Sequence, residues 1–295
     1  MLTTLQDKVA IITGAGQGIG QGIAFALAAR GAKVVVVGRT LSKCQATCKI
    51  IEQRFSTETI PMACDVANHD DLKRVTQDTA QQFKTIDILV NNAGVWGVSV
   101  ADDSMDKSIE DYEQIIGTNL KGEYLFGRAV IPIMIAQGDG GEIVNIATDH
   151  MVTCGTPYFC CPKLATCPWG DSPRPTGGGD AMDLYDAGKW GLNGLLYGWA
   201  KALAPHNIRV NAFCMGATDS HMLRSFHNFD PSEEEVASWM RAEDNAQAMI
   251  DMLEEGPSGR NAQNVNFCIG RPVKLEPAHD HVYVAPEQVR LGESS

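Results

Sequence analysis

The sequence of 295 residues lacks the features that mark membrane-spanning and nucleic-acid-binding proteins. No apolar run approaches the ~20 residues that a membrane helix needs. Basic residues are outnumbered, with 24 Lys and Arg against 36 Asp and Glu, and the resulting net charge of −12 argues against a nucleic-acid binder. A basic leader is also missing, so the apolar stretch at 9–12 predicts a first strand rather than a signal peptide. We therefore expect no membrane and no nucleic-acid partner.

Internal repeats are absent as well, and the cysteine content does not indicate a disulfide framework. The chain has nine cysteines but no export signal. Disulfides persist in oxidising compartments, so these cysteines are expected to be free thiols in a protein of the cytoplasm.

Apolar runs alternate with helical patterns along most of the chain. Several runs are nearly continuous in Val and Ile, as in strands that are buried on both faces. The strand candidates are 9–13, 33–37, 59–64, 86–90, 142–147, 208–213 and 265–269. The helix candidates are 19–30, 42–55, 70–83, 109–136 and 184–204. This alternation predicts an α/β fold with a Rossmann-type, doubly wound parallel sheet of about seven strands, flanked by helices.

Residues 1–295 are predicted to form a single domain, which three irregular segments interrupt or end. The segment 149–183 is rich in Cys, Pro and Gly and is predicted to be an inserted loop. The segment 217–243 is predicted to be a mobile flap, and 272–295 an irregular tail. Asn68 is expected to cap the helix at 70–83, and Ser232 with Glu235 fits a capping box.

A glycine-rich turn follows the first predicted strand. Gly14, Gln17, Gly18, Ile19 and Gly20 lie between an apolar run and a helix. Glycine lets the backbone approach a pyrophosphate, and a helix N-terminus offers unpaired N–H groups. The pattern alone also fits a simple tight turn, but its position between a strand and a helix favours a dinucleotide-binding site.

The end of the second predicted strand lacks the acidic residue that binds the ribose 2′-hydroxyl of NAD. Arg39 stands there instead, and an arginine can pair with a 2′-phosphate. The pattern therefore favours NADP(H), with NAD(H) still possible because Arg39 also fits an exposed loop residue and Gln17 adds no positive charge. Asp65 and Val66, after the third strand, are expected to contact the adenine, although Asp65 also fits a plain turn.

Tyr185 and Lys189 stand four residues apart in a predicted helix. Residues at this spacing share one helix face, so the ammonium is expected beside the phenol. A neighbouring positive charge favours the phenolate, which predicts a pKa for Tyr185 below the usual value of about 10. Such a phenol can exchange a proton with an alcohol or a carbonyl, and together with the glycine turn it indicates carbonyl–alcohol redox chemistry.

These motifs, together with the Asn-Asn-Ala-Gly segment at 91–94 and with Asn119, resemble the short-chain dehydrogenase/reductase family. The resemblance extends from about residue 8 to about residue 270. It implies that Asn119 is catalytic and helps to anchor a water that links Lys189 to solvent. It also implies that Lys189 holds the nicotinamide ribose. The complete predicted cofactor set is Gly14, Gln17, Gly18, Ile19, Gly20, Arg39, Asp65, Val66, Asn92, Ala93, Gly94, Tyr185, Lys189, Gly216 and Thr218.

The chain departs from the family at its fourth catalytic position. Thr148 stands where the family usually has serine, and it keeps the hydroxyl that would polarise a substrate oxygen. Thr148 and Tyr185 are 37 positions apart, much farther than is usual in the family, which is why 149–183 is interpreted as an insertion. Tyr158 lies nearer the usual distance, but Lys163 is five residues on and misses the required helix face. Tyr185 therefore keeps the catalytic role.

The insertion also holds Cys154, Cys160, Cys161 and Cys167, with His150 close by. Their spacing matches no metal motif, and adjacent cysteines seldom chelate one ion well. A zinc site and a disulfide stay open as alternatives, but apolar filling of the loop is favoured and no metal is predicted.

We expect an NAD(P)-dependent oxidoreductase that interconverts a secondary alcohol and its ketone. Aromatic and Met side chains in the insertion and the flap favour a bulky, mainly apolar substrate, such as a terpenoid, steroid-like or aromatic compound. The alternatives are a non-catalytic relative that senses the dinucleotide and an epimerase or dehydratase of nucleotide sugars. The helix after Tyr185 carries Gly188, Gly194, Trp190 and Tyr197, and the family commonly pairs through this helix, so a homodimer or homotetramer is expected.

Overall fold

The computed structural model describes residues 5–151, 181–267, 272–275 and 277–278. The strands of the described residues are β1 (Val9–Thr13), β2 (Lys33–Gly38), β3 (Thr59–Ala63), β4 (Ile88–Asn91), β5 (Gly141–Thr148), β6 (Ile208–Met215) and β7 (Asn264–Phe267). They form one parallel sheet in the order β3-β2-β1-β4-β5-β6-β7. This seven-stranded sheet with its flanking helices confirms the predicted fold class.

The helices connect successive strands and lie on both faces of the sheet. They are α1 (Gly18–Ala29), α2 (Leu41–Phe55), α3 (His69–Phe83), α4 (Met105–Ile116), α5 (Glu123–Gln137), α6 (Asp183–Leu203), α7 (His221–Phe226), α8 (Glu233–Ser238) and α9 (Ala242–Leu253). A helix crossover is needed between parallel strands, because the chain must return to the same end of the sheet before the next strand.

The order of the strands reverses at the centre of the sheet. β1 pairs with β2 on one side and with β4 on the other, so the connections after β1 and after β4 leave in opposite directions. In open parallel sheets such a reversal leaves a crevice at the carboxyl ends of the strands, where ligands bind. The loops after β1 and β4 therefore determine where a site can form.

Alternate residues of the central strands supply two hydrophobic layers. Ile12 faces the layer beneath α1, α2 and α9, whereas Ile11 faces the layer beneath α3, α5 and α6, and both side chains are fully buried. Burial of both faces explains why these strands are nearly continuous in Val and Ile.

Two helical regions differ from the prediction. The single helix expected at 109–136 begins earlier, after the N-cap Ser104, and is divided by a π-helical turn at Gly117–Gly122 that contains Asn119. Helix α9 was not predicted. Its buried Ala246, Met249, Ile250 and Leu253 follow the spacing of a helix face packed on a core, so the sequence held a signal for it.

The structure tests both predicted helix caps but only part of the predicted irregular segments. The Asn68 side chain accepts a hydrogen bond from the Asp70 N–H at 3.0 Å, and Ser232 forms the capping box with Glu235, so both caps are confirmed. Most of the insertion, including its four cysteines, Tyr158 and Lys163, lies outside the described residues, as does most of the tail. The assignment of 1–295 to one domain stays a prediction.

Four of the cysteines lie in the described part of the chain. Cys44, Cys48 and Cys64 are buried free thiols, as expected, and Cys214 is buried. Within the described ranges, no helix combines the length and the apolar character that a membrane crossing requires. The cytoplasmic location stays a prediction.

Candidate active site

A cleft of about 540 Å³ opens at the carboxyl ends of the central strands. Loops and helices that follow β1, β2, β3, β4, β5 and β6 contribute to its walls. The cleft brings together every predicted cofactor residue, and also Thr148, Tyr185 and Lys189. Asn119 is the exception among the predicted site residues, because it is fully buried behind the wall.

The glycine turn packs directly against the segment that follows β4. Gly14 adopts a φ of +66°, which favours glycine. A Cβ atom on Gly20 would lie 2.5 Å from the Asn92 Nδ2 atom and 2.7 Å from the Gly14 carbonyl oxygen. The Thr13 hydroxyl accepts hydrogen bonds from the N–H groups of Asn92 and Ala93, both at 2.8 Å. The two loops at the switch point are therefore held as one unit.

The N-terminus of α1 points at this turn without a capping side chain. Gln17 occupies the N-cap position, but its side chain makes no capping hydrogen bond, and the first turn of α1 has no acidic residue. The N–H groups and the positive end of the helix dipole are therefore free for an anion. Together with the close backbone approach at Gly14 and Gly20, this arrangement fits the pyrophosphate of a dinucleotide.

Arg39 shares its end of the cleft with a second cation that the sequence analysis missed. Lys43 lies on α2, lines the same cleft, and donates a hydrogen bond to Gln17 Oε1 at 2.5 Å. Both Arg39 and Lys43 are exposed. Lys43 follows Arg39 by four residues, and that short distance in the sequence could have indicated a joint site.

Asp65 and Val66 follow β3 and also line the cleft. One oxygen of Asp65 accepts a hydrogen bond from the Ala67 N–H at 3.0 Å, as in a local turn. Val66 is buried and lies so close to Gly122 that a Cβ atom there would approach the Val66 side chain to 2.9 Å. Their position in the cleft is compatible with the expected contacts to the adenine. Those contacts stay a prediction.

Gly216 and Thr218 follow β6. The Gly216 N–H donates to the Phe267 carbonyl at 2.9 Å. The Thr218 hydroxyl donates to the Gly216 carbonyl at 2.9 Å and accepts a hydrogen bond from Asn245 Nδ2 at 2.9 Å. Because the hydroxyl proton is already used, Thr218 can meet a ligand through its backbone rather than as a side-chain donor.

Asn119 is held by backbone groups. Its Oδ1 atom accepts from the Val95 N–H and its Nδ2 atom donates to the Val95 carbonyl, both at 2.8 Å. These two bonds join the π-helical turn to the loop after β4. One N–H and one lone pair of the amide remain, and the expected water link to Lys189 stays a prediction.

Lys189 is almost completely buried. Its ammonium donates to the Ile146 carbonyl at 2.6 Å and lies 3.3 Å from Glu123 Oε1. The exposed fractions of the two side chains are 4% and 3%. Glu123 was not predicted as a site residue, and nothing in the local pattern of α5 distinguishes it from a surface glutamate.

Tyr185 lies on the same face of α6 as Lys189, as the spacing predicted, but the expectation of a lowered pKa is wrong. Burial raises the pKa of Tyr185 above its ordinary value. The positive charge of Lys189 opposes this change, while Asp186, Asp149 and Glu123 reinforce it. Desolvation of the phenolate therefore outweighs the single favourable charge.

Thr148 ends β5 beside a group of polar residues. Its hydroxyl donates to Asp149 Oδ1 at a long 3.4 Å, and burial raises the pKa of the Asp149 carboxyl. His150 Nδ1 lies 2.8 Å from Asp186 Oδ1, and the His150 ring faces the Tyr185 ring edge-on with centroids 6.3 Å apart. The sequence analysis did not assign this pair to the site, although each member is within two residues of a predicted catalytic residue.

Part of the cleft lining is apolar. Trp96, from the loop after β4, packs on Phe226 of α7 with ring centroids 4.1 Å apart, and Met182 and Met222 also line the cleft. The two ends of the segment at 217–243 lie close together, because the Met240 N–H donates a hydrogen bond to the Ala217 carbonyl at 2.9 Å. Its mobility stays a prediction.

Comparisons with known proteins point to one family. The sequence model of a family described as short chain dehydrogenase matches residues 8–165 and 175–230. An uncharacterized oxidoreductase of Staphylococcus saprophyticus is 32% identical over 219 residues, which cover 74% of this chain and 82% of that protein. An uncharacterized oxidoreductase of Thermotoga maritima is 31% identical over 235 residues, which cover 80% of this chain and 81% of that protein.

Solved structures agree with this grouping. A 3-ketoacyl-(acyl-carrier-protein) reductase from Brucella melitensis, complexed with NADH, superposes with a TM-score of 0.72 at 27% identity over 91% of this chain and 99% of its own. A short-chain type dehydrogenase/reductase from Mycobacterium marinum superposes with a TM-score of 0.74 at 23% identity, over 90% of this chain and 94% of its own, and shows the shared fold.

Proposed function

The chain belongs to the short-chain dehydrogenase family, and from this premise we propose that it is an NAD(P)-dependent oxidoreductase that interconverts a secondary alcohol and its ketone. One observation carries the proposal. Tyr185 and Lys189 lie on one helix face inside the cleft where the uncapped N-terminus of α1 opens. A proton-transfer pair and an anion seat in one cleft are what carbonyl reduction with a dinucleotide requires.

Each catalytic side chain has a defined part in the proposal. Tyr185 donates its phenolic proton to the carbonyl oxygen during reduction and accepts it back during oxidation. Lys189 stabilises the phenolate that forms, and Thr148 offers a hydroxyl to the substrate oxygen. Because the bond from Thr148 to Asp149 is long and therefore weak, a substrate oxygen can displace it. The nicotinamide, when bound, supplies or accepts the hydride.

A phenol whose pKa lies above its ordinary value is protonated at neutral pH, and this is the form of Tyr185 that carbonyl reduction uses. The reverse reaction needs the phenolate and is therefore expected to gain rate as the pH rises.

We propose a bulky, mainly apolar substrate. Trp96 and Phe226, which are in contact, and the two methionines are apolar residues in the lining of the cleft that also holds the catalytic side chains. His150, which pairs with Asp186, adds one polar group to this lining. The aromatic residues of the insertion, which also favour this substrate class, lie outside the described residues.

A carbonyl screen tests the function directly. Ketones that differ in chain length and ring number would be offered with NADPH and with NADH, and oxidation of the dinucleotide would be followed by absorbance. We expect turnover, with the highest kcat/KM on large apolar ketones. Equal efficiency on small polar ketones would contradict the substrate class. Tight binding of the dinucleotide without turnover of any carbonyl would instead favour the non-catalytic sensor.

NADP(H) is the proposed cofactor, because Arg39 and Lys43 place two positive charges at one end of the cleft. The Brucella melitensis neighbour was solved with NADH, so NAD(H) remains the competing choice. We predict that Arg39→Asp weakens NADPH binding relative to NADH by about 10- to 150-fold, the worth of one charge-assisted hydrogen bond. Titration calorimetry with both dinucleotides measures this ratio.

Lys49→Asp is the matched control for Arg39→Asp. It makes the same change in net charge at an exposed position of α2 that does not line the cleft. Its ratio of NADPH to NADH affinity should equal that of the unaltered protein. An Arg39→Asp variant with an unaltered ratio would contradict the proposed contact.

We further propose a homodimer or homotetramer. Trp190 and Tyr197 of α6 and Tyr124 of α5 are about two-fifths exposed, which is unusual for large aromatic side chains. Aromatic residues at this exposure are typical anchors of subunit interfaces. Light scattering at micromolar concentration should give a mass of two or four chains, and a mass of one chain would contradict the proposal.

A further inference from the structure

The buried carboxylate of Glu123 lies behind the proposed catalytic pair. Glu123 is the first residue of α5, directly after the π-helical turn that holds Asn119. Its Oε1 atom lies 3.3 Å from the Lys189 ammonium. Its Oε2 atom is buried and has no hydrogen-bond partner among the described residues.

Structural stabilisation does not explain this arrangement. A buried ion pair repays the loss of water only when its remaining polar atoms are also hydrogen-bonded. Here one carboxylate oxygen has no partner among the described residues, so burial of this charge is expected to cost more folding free energy than a fully bonded or an apolar residue would. A costly buried charge beside a reactive pair is more readily explained by a role in the chemistry.

Among the described residues, the charges around Tyr185 come from three elements. Lys189 and Asp186 lie on the same helix, Asp149 and His150 come from the segment after β5, and Glu123 comes from α5. Lys189 is the one that lowers the pKa of Tyr185, and Glu123 is among the carboxylates that raise it. Because Glu123 contacts Lys189 directly, its charge state determines how much of the ammonium's charge the phenol experiences.

Glu123 can change its charge under ordinary conditions. Burial raises the pKa of its carboxyl to about 7, although the nearby Lys189 works in the opposite direction. A protonated Glu123 leaves the charge of Lys189 unopposed, and an ionised Glu123 offsets it.

We propose that Glu123 is a positioning residue that acts through Lys189, as a buried counter-carboxylate that controls how strongly the ammonium favours the phenolate of Tyr185. This inference rests on the proposed function, in which Tyr185 exchanges the proton. Glu123 itself contacts neither substrate nor dinucleotide in this proposal. An ionised Glu123 keeps Tyr185 in its protonated form, which is the form that ketone reduction consumes.

The experiment compares Glu123→Gln with the unaltered protein. Glutamine keeps the shape of the side chain and removes its charge. The pKa of Tyr185 should fall by about one unit, because the ammonium is no longer offset. It is measured without turnover, as the difference between phenolate absorbance titrations of proteins with Tyr185 and with Tyr185→Phe. In a turnover assay, the rise of kcat for alcohol oxidation with pH should move to lower pH by the same amount.

Three further variants complete the design. Glu123→Asp keeps a carboxylate and should leave the titration of Tyr185 close to that of the unaltered protein. Glu123→Met also removes the charge, so it should reproduce the shift if the Gln variant does not fold. Glu113→Gln removes an exposed carboxylate from α4 and should cause no shift.

The outcomes separate this inference from the proposed function. A shift in the absorbance titration without any carbonyl turnover would support the coupling and overturn the enzyme assignment. Turnover with an unaltered titration in a folded Glu123→Gln or Glu123→Met variant would overturn the coupling alone. A shift to higher pH would also overturn it.

Discussion

Tyr185→Phe should reduce kcat for carbonyl reduction by about 10²- to 10⁴-fold, the usual contribution of a positioned general acid or base. The variant removes one hydroxyl and leaves the ring, so packing in the partly buried site is retained. The dinucleotide is held mainly by the glycine turn and the α1 N-terminus in our proposal, so its affinity should change much less than kcat. Steady-state and single-turnover kinetics with a substrate identified in the carbonyl screen provide the measurement.

Tyr112→Phe is the control for this experiment. Tyr112 lies on α4, is 53% exposed, and does not line the cleft. Loss of its hydroxyl should leave kcat unaltered. If Tyr185→Phe retained most of the activity, another group would have to transfer the proton, and the His150–Asp186 pair would be the first to test.

Gly20→Ala should weaken dinucleotide binding by about 5- to 150-fold. An added Cβ atom would meet the Asn92 side chain at 2.5 Å and the Gly14 carbonyl at 2.7 Å. Relieving such overlap costs about 1–3 kcal/mol, and it moves the two loops that are joined through Thr13. The displaced turn can then no longer present its N–H groups at the distance that a pyrophosphate needs. Fluorescence titration with NADPH measures the loss.

The same helix offers a control for the glycine substitution. A Cβ atom on Gly22 would meet its nearest neighbour, the Ala242 carbonyl oxygen, at an ordinary contact distance of 3.6 Å. Gly22→Ala should therefore bind the dinucleotide as the unaltered protein does, and alanine should stabilise α1 slightly. Equal affinity of the Gly20→Ala and Gly22→Ala variants for the dinucleotide would contradict the proposed cofactor-binding site.

Much of the fold could be predicted because its signals are local. Runs of Val and Ile mark strands that are buried on both faces, and all seven predicted strands are present. The caps at Asn68 and Ser232 depend on residues two and three positions away, and both were predicted correctly. The division of the helix at 109–136 was missed, because a π-helical turn has no sequence signal comparable to a proline or a cap.

Residues of the candidate site that are close together in the sequence were predicted. Residues that only the fold brings close to them were missed. The spacing of Tyr185 and Lys189 by itself determined that the two side chains share a helix face. The tertiary structure decided which charges surround the two side chains and in which direction the pKa of Tyr185 changes. Glu123 is separated from Lys189 by 66 positions, and the desolvation of the phenol depends on several packed elements.

The sequence alone therefore determined the order of strands and helices, the glycine turn and the shared helix face of Tyr185 and Lys189. Only the tertiary structure decided the direction of the Tyr185 pKa, the pairing of Glu123 with Lys189 and the approach of Lys43 to Gln17. The physical reason is that backbone periodicity depends on neighbours along the chain. A pKa instead depends on every charge and every excluded water around the group in space.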